Sequence, residues 1–187
     1  MKEKIREQSI QLFATKGFKE TSIQDIVDAL NVTKGTFYYY FTSKEQLLMD
    51  IHLQYIDDLL EKQESIIKNE SMNCKDKLYN IVYMLIHDIE KEGLSAKVFF
   101  REMRNLNEDH LTLIVPKRDQ FRINIQKLLD EGIEQNEIRS DLPTDIVTLS
   151  ILGMTNWSYF WFDPQGRASD KDVSEVFIKV LLEGLAV

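Results

Sequence analysis

The sequence predicts an all-α fold of about nine helices, in which a small N-terminal helix-turn-helix domain precedes a larger helical domain. Apolar residues recur at spacings of three and four along most of the chain, which is the period of an amphipathic helix. No segment of useful length shows the alternation of apolar and polar residues that is typical of a β-strand. Only 7 glycines and 3 prolines interrupt 187 residues, so long helices and few turns are expected. We place the domains at residues 1–46 and 47–187.

The first predicted helix extends from Lys2 to Lys16. Gly17 follows it and is expected to end it as a C-terminal cap. This helix would support the pair of short helices that comes next. Its inward-facing residues are Ile5, Ser9, Leu12 and Phe13.

The segment from Thr21 to Leu47 predicts two short helices joined by a tight turn, followed by the start of a third. Apolar residues at i, i+3, i+4 and i+7 form one side of the first helix, and Thr21 or Ser22 would cap it. Asn31 lies in the turn and tolerates the left-handed conformation that such a turn requires. The apolar residues are Ile23, Ile26, Val27 and Leu30.

The second short helix is apolar on one side only. Phe37 and Phe41, four residues apart, would both point into the domain, and Thr33 can cap the helix. A lysine, a glycine, a threonine and two tyrosines are left facing outward. This pattern is typical of a helix-turn-helix whose second helix enters the major groove of DNA with its first turn foremost.

The outward residues have a chemistry suited to DNA. Lys34 can donate to guanine or to phosphate, Thr36 can contact thymine, and Gly35 has no side chain to hold the helix away from the groove. Lys44, behind a capping Ser43, is interpreted as a phosphate clamp at the start of the third helix. The predicted DNA-contacting residues are Thr21, Ser22, Thr33, Lys34, Gly35, Thr36, Tyr38, Tyr39 and Lys44.

Four segments carry a family resemblance: Phe13 to Phe18, Thr21 to Ile26, Val32 to Phe41, and Ser43 to Glu45. Together they resemble the TetR-type one-component transcriptional regulators of bacteria. One departure is Val27 to Asn31, where the family more often has small residues and glycine. The resemblance implies a homodimer that binds operator DNA, commonly as a repressor, and whose larger domain senses a small molecule.

Charge is divided unevenly along the chain. The formal net charge is -8, but residues 1–50 carry seven basic and seven acidic side chains, so the deficit belongs entirely to the remainder. A neutral DNA-binding end must rely on a few placed lysines and helix termini, and its salt dependence should be modest. Cys74 is the single cysteine, and the N-terminal segment lacks the apolar core of a signal peptide. We therefore expect a cytoplasmic protein without a membrane partner.

Six further helices are predicted after the helix-turn-helix pair. The first follows without a linker, so it would act as a rigid lever between the domains. Asn73 is expected to cap the next helix and Gly93 to end it. Pro116 is expected to open a later helix, which Asn136 would end as a left-handed cap. The predicted helices are Lys44 to Lys68, Asn73 to Gly93, Leu94 to Leu106, Pro116 to Asn136, Pro143 to Phe162, and Ser169 to Leu185.

The last predicted helix carries a long apolar stripe that a monomer would leave partly exposed to water. The resemblance implies that the last two helices form a four-helix bundle with those of a second subunit. Packing within one chain is the alternative. The residues assigned to the dimer contact are Val173, Val176, Phe177, Val180, Leu181 and Gly184.

The candidate effector site consists of aromatic residues and of polar residues on apolar helix faces. Arg101 or Asn105 would bind an anionic or polar head group, because a buried polar group needs a partner; an internal salt bridge or a surface position is the alternative. The segment Asn156 to Trp161 is similar to that of regulators that sense acyl thioesters, which implies an acyl-CoA or lipid-like effector. The candidates are Tyr83, His87, Phe100, Arg101, Asn105, Phe121, Asn156, Trp157 and Trp161.

Catalysis is not expected from this sequence. The three histidines are scattered, no nucleophile accompanies a base, and no metal-ligand or phosphate-loop spacing occurs, so neither a metal nor a cofactor is predicted. The more credible alternative is a helical lipid-binding or carrier protein of the same fold that does not contact DNA. Lys34, Gly35, Thr36 and Lys44 argue against it. The sequence thus favours a repressor that binds a palindromic operator as a homodimer.

Overall fold

The computed structural model describes residues 1–185 of the chain, and within them it is built from nine α-helices without any strand. The predicted all-α fold is therefore confirmed. A short 3₁₀ turn, Met103–Asn105, follows the sixth helix. The helices are α1 Lys2–Thr15, α2 Ile23–Ala29, α3 Lys34–Tyr40, α4 Lys44–Ile67, α5 Cys74–His87, α6 Ile89–Glu102, α7 Glu108–Glu134, α8 Thr144–Trp161 and α9 Asp170–Leu185.

The chain divides into two compact units, each assembled from separate segments. The first contains Met1–Asp57 and Glu92–Pro116, and the second contains Asp58–Lys91 and the chain from Lys117 onward. This division reflects which segments pack together and does not by itself mark a functional boundary. The functional boundary between residues 46 and 47 stays a prediction.

The core of the first unit forms where α1, α2 and α3 pack on one another. Ile5, Ile26 and Phe37 are completely buried there, because the apolar stripe of each helix turns inward. Farther along, the ring of Phe99 on α6 lies 4.9 Å from that of Tyr55 on α4. The unit thus combines the helix-turn-helix with parts of the longer helices.

The second unit is organised around α5, which packs against both α8 and α9. Leu78, Ile81 and Ile86 of this helix are completely buried. Phe162 and Val173 pack against Ile86, so the end of α8 and the start of α9 share one apolar cluster with α5. Helix α5 is thus central to this unit.

Turn residues predicted from their backbone preferences behave as expected. Gly17, Asn31 and Asn136 all have positive φ, at 99°, 53° and 58°. Glycine reaches this region without strain, and asparagine reaches it more easily than most residues. Asn73 caps α5, accepting a hydrogen bond from the Asp76 N–H at 2.8 Å, as predicted.

Two predicted helix boundaries are wrong. Gly93 does not end a helix but lies inside α6, and the break comes at Asp88. A glycine within a helix costs only about 1 kcal/mol, which tertiary packing can offset. Pro116 does not open a helix but lies inside α7, which begins at Glu108. Pro116 is exposed, so water can reach the carbonyl group that its missing N–H leaves unpaired.

The described residues contain neither a membrane-spanning helix nor a cluster of metal ligands. None of the helices in this part of the chain is long and apolar enough to cross a membrane. No group of three histidine, cysteine or acidic residues lies where it could hold a metal ion, again within the described part.

Candidate nucleic-acid interface

Helix α2 begins with a complete capping box. The Ser22 hydroxyl accepts a hydrogen bond from the Asp25 N–H at 3.1 Å, and the Asp25 carboxylate accepts one from the Ser22 N–H at 2.7 Å. Lys16 also donates to Asp25, at 2.8 Å. The hydrogen bond from Lys16 and those from Ser22 lower the pKa of Asp25 to about 2. Of the two predicted capping residues, Ser22 is therefore the one that caps.

Thr21 is an internal residue of this region. Its side chain is 1% exposed, and its hydroxyl donates to the carbonyl oxygen of Gly17 at 2.7 Å. A side chain in this position has no surface to present to a duplex. The structure therefore does not support the predicted DNA contact of the Thr21 side chain, whereas Ser22 remains exposed.

The start of α3 is fixed by Thr33. Its hydroxyl oxygen accepts a hydrogen bond from the Thr36 N–H at 3.3 Å, so the predicted cap is confirmed. Phe37 and Phe41 are 0% and 1% exposed and attach the helix to the core. Only the opposite face of α3 is left for a partner.

That opposite face carries the predicted recognition residues. Tyr38 and Tyr39 are 53% and 81% exposed, and Lys34 and Gly35 are exposed beside them. A Cβ atom on Gly35 would meet only the Thr33 hydroxyl, at 3.5 Å, so packing within the protein does not require a glycine here. The absence of a side chain at Gly35 instead lets a partner approach the backbone of α3 closely.

Lys44 differs from the prediction in its surroundings. Its ammonium group donates to the carbonyl oxygens of Phe18 at 2.7 Å and of Thr21 at 2.6 Å, and lies 4.3 Å from the centre of the Phe18 ring. Partial burial lowers its pKa. The contact with phosphate stays a prediction, but the structure shows Lys44 bound to its own chain.

Comparison with known proteins identifies the family. The sequence model for "Bacterial regulatory proteins, tetR family" matches residues 5–51, and that for "Tetracyclin repressor-like, C-terminal domain" matches residues 71–185. The chain belongs to the TetR family. The TetR-family resemblance of the N-terminal segments is thereby confirmed and extends over most of the chain.

Individual relatives match this TetR-family chain over most of their own length. The HTH-type transcriptional repressor KstR2 of Rhodococcus jostii is 25% identical over 177 residues, covering 94% of this chain and 86% of the relative. The structure of the ketosteroid regulator KstR2 of Mycobacterium tuberculosis has a TM-score of 0.90 at 23% identity, covering 100% and 95% of the two chains. AibR, solved with isovaleryl coenzyme A and operator DNA, has a TM-score of 0.87 at 23% identity and 96% coverage of each chain.

The nine effector candidates are distributed over both compact units. Phe100, Arg101 and Asn105 belong to the first, and the other six belong to the second. Arg101 is exposed and lies 3.4 Å from the Ala14 carbonyl oxygen, and Asn105 donates to Glu102 at 2.7 Å. These contacts agree better with the alternative given for Arg101 and Asn105, in which each residue lies at the surface or pairs within the protein.

The candidates on α5 pair with α9. His87 hydrogen-bonds the carboxylate of Asp170, and the Tyr83 hydroxyl lies 3.4 Å from the same carboxylate. The hydrogen bond from His87 lowers the pKa of Asp170.

The candidate on α7, Phe121, is buried. Its carbonyl oxygen accepts a hydrogen bond from the Gln63 side chain at 2.9 Å.

The α8 candidates face outward. Trp157 and Trp161 are 64% and 49% exposed, and Asn156, half-buried, accepts a hydrogen bond from Tyr159 at 3.4 Å. An exposed tryptophan on a free helix face is better placed to contact another protein than to line a pocket. All nine effector assignments stay predictions.

One cleft in the second unit was missed by the sequence analysis. It has a volume of about 420 Å³ and lies between the second half of α4 and α7. Gln63 is completely buried beside it and accepts a hydrogen bond from Asn124 at 2.8 Å, and Asn124 in turn accepts one from Gln120 at 2.6 Å. The sequence signal for this cleft is that Gln63 continues the four-residue spacing of Ile51, Tyr55 and Leu59, which places a polar side chain on the buried face of α4. The cleft is lined by Leu60, Glu64, Ile67, Lys68, Gln120 and Asn124.

The predicted dimer stripe on α9 divides into two faces. Val173 and Leu181 are 6% and 9% exposed, and Phe177 packs on the cluster of Ile86. Val176 and Val180 are 59% and 60% exposed. Among the described residues, and apart from its chain neighbours and its own helix backbone, no atom lies within 4 Å of the place where a Cβ of Gly184 would stand. The predicted stripe covers more than one face of α9. Three of its six residues, Val173, Phe177 and Leu181, therefore pack within the chain.

Proposed function

We propose that this TetR-family regulator represses transcription by binding a palindromic operator as a homodimer, and that a small, largely apolar effector releases it. The observation that carries the proposal is the α3 face, where Lys34, Gly35 and Tyr39 are exposed on a helix that Thr33 caps and Phe37 anchors. That arrangement meets the requirement for reading base edges in the major groove. Such a regulator acts where the chromosome is, in the cytoplasm.

Helices α8 and α9 support the dimer, because α8 is more apolar on its outer face than on its inner one. Thr148, Thr155 and Ser158 are buried, and each hydroxyl donates to a carbonyl oxygen four residues earlier, so they can pack closely inside without an unpaired group. A contiguous exposed apolar face is typical of an interaction site. The outward apolar residues are Ile146, Leu149, Trp157, Phe160 and Trp161 on α8 with Val176 and Val180 on α9.

A second copy of the chain is the partner that this surface fits. Two helices from each of two subunits form a closed four-helix bundle, in which a twofold axis lets the same residues cover one another. Such a dimer would hold two recognition helices about one DNA turn apart, roughly 34–36 Å, and so read a palindrome.

The effector is proposed to be an acyl thioester or another lipid-like molecule. AibR shows that a protein of this fold can be solved with both an acyl-CoA and operator DNA. In this chain the cleft between α4 and α7 combines apolar Leu60 and Ile67 with the amides of Gln120 and Asn124. It offers an apolar wall together with hydrogen-bonding groups, as a ligand with an apolar tail and a polar head requires.

DNA binding is tested with duplexes that the protein itself selects from a random pool. We expect an enriched palindrome, bound with high affinity by the wild type and weakly by Lys34→Met. The variant Lys127→Met, which removes an exposed lysine from α7 in the second unit, should bind as the wild type does. Selection without any enriched sequence would instead favour the carrier protein that keeps the fold and does not contact DNA.

The effector is tested with a series of acyl-CoA thioesters of increasing chain length. At least one member should raise the thermal midpoint of the free protein and weaken operator binding, because a ligand that binds the DNA-incompetent state shifts the population toward it. Asn124→Ala should reduce both responses. If the whole series changes neither quantity, the acyl thioester class is wrong, while the DNA-binding proposal stands on its own experiment.

A further inference from the structure

Asp50 of α4 is bound by two basic side chains from the start of α1. The Arg6 Nε donates to Oδ2 of the Asp50 carboxylate at 2.8 Å, and the Arg6 Nη2 lies 2.7 Å from the same oxygen. The Lys2 ammonium group donates to Oδ1 at 2.9 Å. Arg6 also hydrogen-bonds Glu3 within its own helix, so its guanidinium group is held by both helices. Both carboxylate oxygens of Asp50 are therefore bound by α1.

The ion pair of Arg6 and Asp50 is better shielded from water than a typical surface pair. The two side chains are 11% and 17% exposed, compared with 72% and 61% for Lys68 and Glu64. A fully exposed pair contributes little to stability, because water and salt screen it. A shielded pair is screened less, and the loss of one partner leaves the other charge partly buried without its counterion. Removal of either partner should therefore disturb the contact between α1 and α4.

We infer that Asp50 is a positioning residue of the DNA-binding end, which holds the start of α1 on α4 and thereby supports operator binding although its own charge is negative. The inference rests on the proposed operator binding and deepens it. Asp50 acts through the two helices that it joins, not through a contact of its own with DNA.

The contact closes a ring of helices that includes the recognition helix. Helix α1 packs against α2, and α2 packs against α3. Residues 41–43 connect α3 to α4, and α4 is joined to the start of α1 through Asp50. Lys2 adds a link at the same place, since its ammonium group lies 5.4 Å from the centre of the Phe41 ring, directly after α3. The position of α3 is therefore fixed by α2 on one side and by α4 on the other.

Apolar contacts alone would hold these helices together but would fix their orientation less closely. Ile5 of α1 and Leu47 and Leu48 of α4 are completely buried, and burial of apolar surface has no preferred direction. The contact of two guanidinium nitrogen atoms with one carboxylate has a defined direction, because the guanidinium group is planar and rigid. We expect loss of the ion pair to leave the domain folded and its recognition helix less precisely placed.

The charge of Asp50 makes the inference testable by the sign of the effect. A carboxylate near DNA repels the phosphates, so its removal should strengthen binding to any duplex if charge alone matters. If Asp50 positions α1 and α4, its removal should instead weaken binding to the operator. The two explanations predict opposite changes for Asp50→Asn, which removes the charge and keeps the shape of the side chain.

Affinity is measured for the selected operator and for a duplex of scrambled sequence, at a temperature where all variants are folded. We expect Asp50→Asn to bind the operator about tenfold more weakly, which corresponds to the loss of roughly one base contact. Its affinity for the scrambled duplex should equal or exceed that of the wild type. Operator affinity at or above the wild-type value, or an equal loss on both duplexes, would overturn the inference.

Glu7→Gln is the matched control for the change of charge. It removes one negative charge from an exposed site on α1 and leaves the ion pair of Arg6 and Asp50 intact. Its operator affinity should equal or exceed that of the wild type. A loss in Glu7→Gln as large as that in Asp50→Asn would contradict a special role for Asp50.

A double-mutant cycle shows whether the effect belongs to the ion pair. Arg6→Met combined with Asp50→Asn has the net charge of the wild type, so the long-range attraction to DNA is unchanged. The ratio of operator to scrambled affinity should fall about as far in the double variant as in Asp50→Asn alone. Additive losses would mean that the two residues act separately, and the ion pair would then have no positioning role.

Conservative variants cover a failure of these proteins to fold. Asp50→Glu and Arg6→Lys keep both charges and change the length or the geometry of one partner, so the affinity ratio should fall while the helical circular dichroism is retained. A wild-type ratio in both variants contradicts the inference. Selection without any enriched duplex would refute operator binding and the positioning role with it, whereas normal operator binding by Asp50→Asn refutes the positioning role alone.

Discussion

Polar side chains around the helix-turn-helix stabilise the protein before any of them can contact DNA. Ser22 and Thr33 cap the two short helices with their own hydroxyls, and Thr21 is buried behind them. Lys34, Tyr38 and Tyr39 keep free surfaces because the inward side of α3 is already occupied by Phe37 and Phe41. At the scale of single residues, exposure separates the recognition candidates from the structural ones.

Tyr39 offers a direct test of that separation. It is 81% exposed, so Tyr39→Ala removes little packing and should leave the thermal midpoint unchanged. If the ring contacts DNA, operator affinity should fall by about tenfold in an equilibrium titration. Gln11→Ala, which alters an exposed residue of α1, is the control and should change neither value. Wild-type affinity in Tyr39→Ala would remove Tyr39 from the interface.

Asp25 predicts a pH-dependent contribution to stability. Its pKa lies at about 2, below the ordinary value of 3.8, because Lys16 and Ser22 donate hydrogen bonds to the charged form. A carboxylate with a depressed folded-state pKa stabilises the protein above its unfolded pKa, and this stabilisation is lost as the pH falls through about 2. Asp25→Asn should therefore lower the thermal midpoint at neutral pH, and the difference from the wild type should shrink in acid.

Carboxyl NMR measures the same effect at the atom concerned. The Asp25 resonance should titrate near its depressed pKa in the wild type and at a higher pH in Lys16→Met, since the hydrogen bond from Lys16 is the largest cause of the shift. An unchanged titration midpoint in Lys16→Met would show that the ion pair with Lys16 does not form in solution.

At the scale of helices, most starts and turns were predictable from local chemistry. Thr33 and Asn73 were predicted as caps, and Ser22 as one of two candidates for the cap of α2. Asn31 and Asn136 were predicted as left-handed residues. These roles depend on a few neighbouring atoms. Interior breakers were not predictable in the same way. Gly93 and Pro116 lie within helices because packing and solvent access, which the local sequence does not show, offset their local penalties.

Which face of a helix points inward was predictable only where one face is polar. Phe37 of α3 and Phe41 directly after it were placed correctly, because lysine, threonine and tyrosines lie opposite them. Helix α8 has apolar residues all round, and three of its four buried residues are threonine or serine, so periodicity alone does not identify the outer face. Trp157 and Trp161 were assigned to the effector site as aromatic residues of a segment similar to that of acyl-thioester sensors. The direction of Lys44 depends on carbonyl groups 23 and 26 residues away, which no spacing rule includes.

Gly132 tests packing at the end of α7. A Cβ atom there would stand 2.6 Å from Cδ1 and 3.0 Å from Cγ1 of Ile138, and 3.3 Å from Cβ of Cys74. Alanine gains about 1 kcal/mol of helix propensity over glycine, but overpacking a buried site costs about 1–3 kcal/mol. We expect Gly132→Ala to be destabilising by roughly 1 kcal/mol in chemical denaturation.

Ile138→Val removes the nearest of these atoms and completes a double-mutant cycle. Gly132→Ala should cost less in the Ile138→Val background than in the wild type, because valine has no Cδ1. Additive effects of the two substitutions would mean that Ile138 is not what limits the space at Gly132.

For the whole molecule, the distribution of charge and the outer face of α8 and α9 point to different partners. The neutral N-terminal 50 residues approach DNA through a few exposed groups, while the acidic remainder adds no attraction to the duplex. In the proposed dimer, affinity depends on two recognition helices acting together, and the apolar face of α8 and α9 is the surface proposed to pair them. Loss of the dimer should therefore cost more operator affinity than loss of any single contact.

Val180→Glu tests this by placing a charge in the proposed interface. Val180 is 60% exposed in the single chain, so the substitution should spare the helical circular dichroism of the protomer. In sedimentation experiments the wild type should be a dimer and Val180→Glu a monomer, because an unpaired charge at a buried apolar contact is strongly unfavourable. Ser65→Glu adds the same charge at an exposed site on α4 and should remain dimeric.

Tryptophan fluorescence reports on the same surface, because both tryptophans of the chain, Trp157 and Trp161, lie on α8 with 64% and 49% of their surface exposed in the single chain. In a dimer that covers them, their emission should be shifted to the blue and weakly quenched by acrylamide. Val180→Glu should shift the emission to the red and restore quenching, while Ser65→Glu should match the wild type. Fully quenched, red-shifted emission from the wild type at concentrations where it sediments as a dimer would place the subunit contact elsewhere, and the outer face of α8 would need a different partner.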